Sequence, residues 1–86
     1  MKILHILRDS NDPLPLSMAN TQRGQGEEVS ILLIHDAVYA SVPKGFKVFA
    51  SRDDVQARGV TPDGAELIDY PQIVDLIVEH DSVTVW

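Results

Sequence analysis

The side chains best suited to acid–base or nucleophilic chemistry in these 86 residues are three histidines and a scatter of serines and carboxylates; there is no cysteine. His35–Asp36 is the most attractive pair, because an imidazole can take or give a proton near neutral pH. Any hydrolase or isomerase reading would rest on those two residues. Asp36 has a plainer use as the cap of a following helix, the commoner role of aspartate at such a position. No nucleophile is evident beside His35. Ser10, Ser41 and Ser51 all fall near turns, and none is set in the glycine pattern of a nucleophile elbow. His5, His35 and His80 match no metal-ligand spacing, and His5 lies inside an apolar run, where it is expected to be hydrogen-bonded in a core or interface. The residues therefore nominate no catalytic group, no metal site and no cofactor. Without a thiol the chain can hold no disulfide, no thiolate zinc site and no cysteine nucleophile.

The elements that must position these groups are short. Lys2–Leu7, Val29–Ile34, Lys47–Ala50, Ala65–Asp69 and Ser82–Trp86 read as five strands. Their lack of polar alternation is typical of strands covered on both faces, as in parallel sheets. Between them, Pro15–Arg23 is a weak helix ended by Gly24–Gln25–Gly26, and Asp36–Ser41 makes a turn or two before Pro43 and Gly45. Ser51, with Asp54 three residues on, resembles a capping box and opens a helix to Arg58 that stops at Gly59. Asp69 can cap a last helix in which Pro71 occupies the first turn, where a missing N–H costs nothing. Tyr70, Ile73, Val74, Ile77 and Val78 form one stripe on that helix, and His80 sits where positive charge suits the helix dipole. Strands alternating with helices predict one α/β domain over residues 1–86 with a mostly parallel five-stranded sheet.

In open α/β sheets ligands bind beyond the carboxyl ends of the strands. That rule selects Arg8–Asp12 after the first strand, His35–Tyr39 after the second and Ser51–Asp54 after the third, and within them Asp9, Ser10, His35, Asp36, Tyr39 and Ser51 are the candidate ligand- or partner-site residues. Asp69 and Tyr70 follow the fourth. Gly24–Gln25–Gly26 precedes a strand instead of joining strand to helix, so it is not a dinucleotide-binding loop. Arg8, Arg52 and Arg58 stand alone, for which solvation or a local ion pair is the default. With 7 basic against 13 acidic residues, a net charge of −6 and no basic stripe, direct binding to nucleic acid is not expected.

The chain closes on its single tryptophan, at the end of a strand-like Ser82–Val83–Thr84–Val85–Trp86. A tryptophan there should be packed, either on its own core or on a partner. Tyr39, Tyr70 and Trp86 are the aromatic candidates for an interface, and self-association would help a core this small. The apolar runs are too short to span a bilayer, and the opening is too short for a signal peptide. A cytoplasmic protein is expected.

Leu4–His5–Ile6–Leu7, His35–Asp36–Ala37–Val38–Tyr39–Ala40, Val48–Phe49–Ala50 with Asp53–Asp54–Val55–Gln56–Ala57–Arg58–Gly59, and Asp69–Tyr70–Pro71–Gln72 through His80, followed by Trp86, occur in an order that resembles the DsrH/TusB family of the DsrE/DsrF/DsrH-like superfamily. The resemblance spans nearly the whole chain and is weakest from Asn11 to Glu28. It implies a small flavodoxin-like or Rossmann-like α/β three-layer sandwich. It also implies a subunit of an intracellular sulfur relay, working with DsrE/TusD-like and DsrF/TusC-like subunits in 2-thiolation of the tRNA wobble uridine or in sulfur oxidation. The chain departs from the sulfur-carrying pattern. Some members have a cysteine after the first strand, where this sequence reads Arg8–Asp9–Ser10–Asn11–Asp12–Pro13. A persulfide requires a thiolate, so these residues fit a non-catalytic subunit whose partner bears the cysteine. The alternative is a free-standing homo-oligomeric α/β binding protein.

Overall fold

The computed structural model describes residues 1–86. Its five strands are β1 (Lys2–Leu7), β2 (Glu28–Leu33), β3 (Lys47–Ser51), β4 (Glu66–Ile68) and β5 (Ser82–Val85). They form one sheet in the order β4-β3-β2-β1-β5, and every neighbouring pair is parallel. The helices are α1 (Leu14–Gly24), α2 (Arg52–Arg58) and α3 (Tyr70–Glu79), with a 3₁₀ turn over His35–Tyr39. The predicted elements are all present with shifted ends. β4 is cut to three residues, because the turn from Thr61 to Gly64 uses up its start and the α3 cap its end. β5 pairs with β1 in parallel register, Ile3 opposite Ser82 and Ile6 opposite Val85.

The order of the strands decides the layers. From β1 to β4 the chain steps across the sheet in one direction, and right-handed crossovers then put every connection on the same face. Ala19 of α1, Ala37 and Val38 of the 3₁₀ turn, and Val55 of α2 accordingly join Ile3, Leu7, Val29, Ile31, Leu33 and Ala50 in one core. The chain reverses once, between β4 and β5, so the opposite face receives α3 alone. There Leu76 packs on Leu4, Ile6, Leu32, Phe49 and Ile68. The alternation of odd and even residues between the two cores is the period-2 pattern of strands buried on both faces.

The α3 layer departs from the stripe expected of it. Leu76, which lies off the stripe, is the helix's one buried residue, with Ile73 partly buried beside it. Tyr70 is 75% exposed and Val78 79%, and Val74 and Ile77 are also exposed. The helix starts as expected: the Asp69 backbone N–H donates to Gln72 Oε1 at 2.8 Å, one arm of a capping box. At the other end His80 Nδ1 donates to the Leu76 carbonyl at 2.6 Å.

Trp86 is bound into its own chain. Its main-chain N–H continues the β1–β5 ladder to the Ile6 carbonyl at 2.9 Å. Its indole Nε1–H donates to His5 Nδ1 at 2.9 Å, and its main-chain oxygen accepts from Arg8 Nε at 2.7 Å. His5, only 1% exposed, also contacts Gln22 Oε1 through Nε2 at 2.6 Å. An indole N–H can only donate, which assigns the imidazole proton to Nε2. No helix is long and apolar enough to cross a membrane.

Candidate functional site

Because all strands are parallel, their carboxyl ends share one edge of the sheet. β3 leads into α2 on one face while its neighbour β4 leads into α3 on the other, so the two connections part there. That is the topological switch point at which open α/β sheets form a crevice. In this protein Arg52 bridges the crevice: its Nε meets Asp69 Oδ1 at 3.1 Å and its Nη2 donates to the Leu67 carbonyl at 3.3 Å.

Beside this bridge lies a groove of about 430 Å³ between α3 and the sheet. Ile6, Leu32 and Val85 form its floor, and Ile73 and Ile77 of α3 its wall. Ile34 and Tyr70 complete the apolar rim, and His35, Ser51 and Asp54 its polar end. The groove exists because one helix lies on a face that five strands expose.

Asp54 organises the polar end. Burial raises its pKa, but the His35 backbone N–H, the Ser51 hydroxyl and the positive charge of Arg58 outweigh burial and hold the carboxyl below its ordinary range. Arg58 Nη1 lies 3.3 Å from Asp54 Oδ1, an i,i+4 pair on α2, and Arg58 Nε lies 3.0 Å from Asp36 Oδ1. Asp36 raises the pKa of Arg58 in turn. The backbone reaches this arrangement by placing His35 at φ +50°, the one non-glycine residue with positive φ. Histidine tolerates the left-handed region better than most residues, but holding it there still needs support from the surroundings.

The expected site residues divide accordingly. His35 and Ser51 meet at the groove, and Tyr39 stands exposed at the end of the 3₁₀ turn. Asp36 does not pair with His35; its carboxylate is taken by Arg58, and the carboxylate nearest His35 Nδ1 is Asp54 at 3.9 Å. Asp36 does not cap a helix either, since Ile34 holds that position. Ser51 is the N-cap residue of α2, but its side chain makes no capping hydrogen bond; it helps instead to lower the pKa of Asp54. Asp9 caps its own loop, accepting from the Asn11 N–H at 2.9 Å, and Ser10 lies in the same bend. Tyr70 rims the groove, whereas Trp86 sits on the other core. The sequence places Asp54 at the end of β3 in a capping pattern with Ser51, Arg58 as a lone cation with at most a local ion pair, and Ile73 in the α3 stripe; the i,i+4 spacing of Asp54 and Arg58 announces the pair they form. No three histidine, aspartate or glutamate side chains converge closely enough to hold a metal ion.

An all-parallel α/β sandwich with an apolar groove at its switch-point edge defines the class. The family model described as "DsrH like protein" matches residues 16–83, from α1 into β5. The chain belongs to this DsrH-like family. Among solved structures, the crystal structure of the ychN protein from E. coli is similar over 100% of both chains, with a TM-score of 0.79 at 17% sequence identity, a likeness of fold. No curated protein sequence matches this one.

Proposed function

We propose that this chain is a non-catalytic subunit of a Tus/Dsr-type sulfur-relay complex, acting in the cytoplasm. DsrE/TusD-like and DsrF/TusC-like subunits would be its partners, and the persulfide cysteine would belong to the DsrE/TusD-like one. The carrying observation is that a DsrH-like chain contains no thiol at all. Sulfur relay through a persulfide needs a thiolate at each covalent station, so a member without one contributes by assembly. The exposed apolar side of α3 supports this reading, since large uncovered apolar patches on small proteins mark interaction surfaces. The relay would serve tRNA wobble-uridine 2-thiolation or sulfur oxidation. Co-expression with a cysteine-bearing DsrE-like protein from the same genome tests the proposal. A stoichiometric complex that carries persulfide on the partner's cysteine is expected. A chain that stays a lone monomer beside every such partner would refute it.

The groove favours a second reading, a free-standing homo-oligomeric binding protein for a small, largely apolar ligand. Gel filtration with light scattering separates the two, because a closed homo-oligomer that ignores DsrE-like proteins belongs to the second.

A further inference from the structure

The α3 layer presents three surfaces side by side. Tyr70, Val74 and Val78 form an apolar ridge along the outside of the helix. On one flank lies the apolar groove. On the other, Glu66, Asp75 and Glu79 line a second crevice, of about 230 Å³, against Phe49, Ile68 and Leu76. None of these three carboxylates has an ion-pair partner within the chain. A ridge between a dry groove and an acidic crevice matches a helix with an apolar stripe and basic edges, laid along the ridge of α3 with its long cationic side chains over the crevice.

We infer that α3 and its two flanking grooves dock a different protein through an apolar helix edged with lysine or arginine. This rests on the assembly reading above only for the existence of a partner. A second copy of the chain is a poor occupant. Its arginines are all engaged internally: Arg8 on Trp86, Arg23 on Asn20 and the Lys44 carbonyl, Arg52 on Asp69, and Arg58 on Asp36 and Asp54. Two copies would also bring like net charges of −6 together, and like-charge juxtaposition disfavours a partner.

Two labelled amphipathic peptides of about 18 residues, both with leucine at helical i, i+3, i+4, i+7 spacing, serve as probes. One carries lysine at the remaining positions and the other glutamate. Fluorescence anisotropy should show binding of the lysine peptide, weakening with salt, and none of the glutamate peptide. Val78→Asp should weaken lysine-peptide binding about tenfold or more, as loss of a central apolar contact does. A purely electrostatic attraction would instead be strengthened by the added carboxylate. Glu66→Gln with Asp75→Asn should weaken binding, while Asp63→Asn, away from α3, should not. Melting curves confirm that each variant is folded, and Val74→Ser replaces Val78→Asp if that chain is not. The inference is overturned if the peptides bind equally, if Val78→Asp binds as well as the parent, or if the chain dimerises through this face and Val78→Asp abolishes the dimer. A complex with the DsrE-like protein that survives Val78→Asp unchanged also overturns it, and leaves the assembly reading intact.

Discussion

Replacing Trp86 with phenylalanine removes the indole N–H donor and shrinks the bicyclic ring to a phenyl that still occupies this partly buried place. The indole N–H donates to His5 Nδ1 at 2.9 Å, and His5 is 1% exposed. In the variant that nitrogen loses its donor in a place water cannot reach. An unsatisfied buried polar atom costs about 1–3 kcal/mol, so a loss of about 2 kcal/mol is expected. For a domain of this size that lowers the melting temperature by roughly 8–16 °C. Trp86→Ala also removes the ring's packing on the first core. Truncating a fully buried Trp costs about 3–5 kcal/mol, and this ring is only partly buried, so a total of about 3–4 kcal/mol is expected. The chain has one tryptophan, so far-UV circular dichroism, not intrinsic fluorescence, must follow urea and thermal unfolding in both variants. A double-mutant cycle with His5→Leu isolates the bond. In that background Trp86→Phe should cost less than about 0.5 kcal/mol, because no acceptor is left to orphan. A Trp86→Phe protein as stable as the parent, or an equal cost in both backgrounds, would refute the reasoning.

Asp54 gives a pH prediction with a definite sign. Its folded carboxyl titrates below the ordinary value, so its contribution is present above about pH 4 and is lost as pH falls through the folded value. Asp54→Asn should flatten that acid limb of the stability curve, read by urea midpoints from pH 2 to 6. On α3, Leu76→Ala should cost about 2–4 kcal/mol in urea unfolding as a core truncation, while Val74→Ser should stay within about 0.5 kcal/mol of the parent. The opposite ranking would mean that the stripe faces the core after all. Gly45 has φ +103°, and a Cβ there would strike the Arg23 guanidinium, which stacks 4.2 Å from the Phe46 ring centroid. Gly45→Ala should cost about 1–3 kcal/mol from backbone strain, measured by thermal unfolding, with added mobility of the 43–46 loop in hydrogen exchange.

Much of this protein follows from local sequence. The alternation of five apolar runs with helical segments is a one-dimensional property, and so is the start of α3 at Asp69, Pro71 and Gln72, where side chains within three positions satisfy the backbone. The absence of a thiol, and with it of any persulfide chemistry in these residues, is likewise complete in the sequence. The tertiary structure decided what depends on neighbours distant in the chain. The stripe from Tyr70 to Val78 marks a face of a helix, but periodicity carries no information on whether that face meets the sheet or solvent. The sheet chose Leu76, because α3 crosses alone from one edge to the other and rests on its inner side. His35 lies next to Asp36 in sequence, yet its carboxylate neighbour is Asp54, and Arg58 reaches Asp36 across 22 positions. Those pairings exist because β2 and β3 are adjacent strands whose carboxyl ends bring the 3₁₀ turn against α2. The same holds for Trp86. A tryptophan at the end of a strand announces that something must cover it, but only the parallel pairing of β5 with β1 brings the indole within reach of His5.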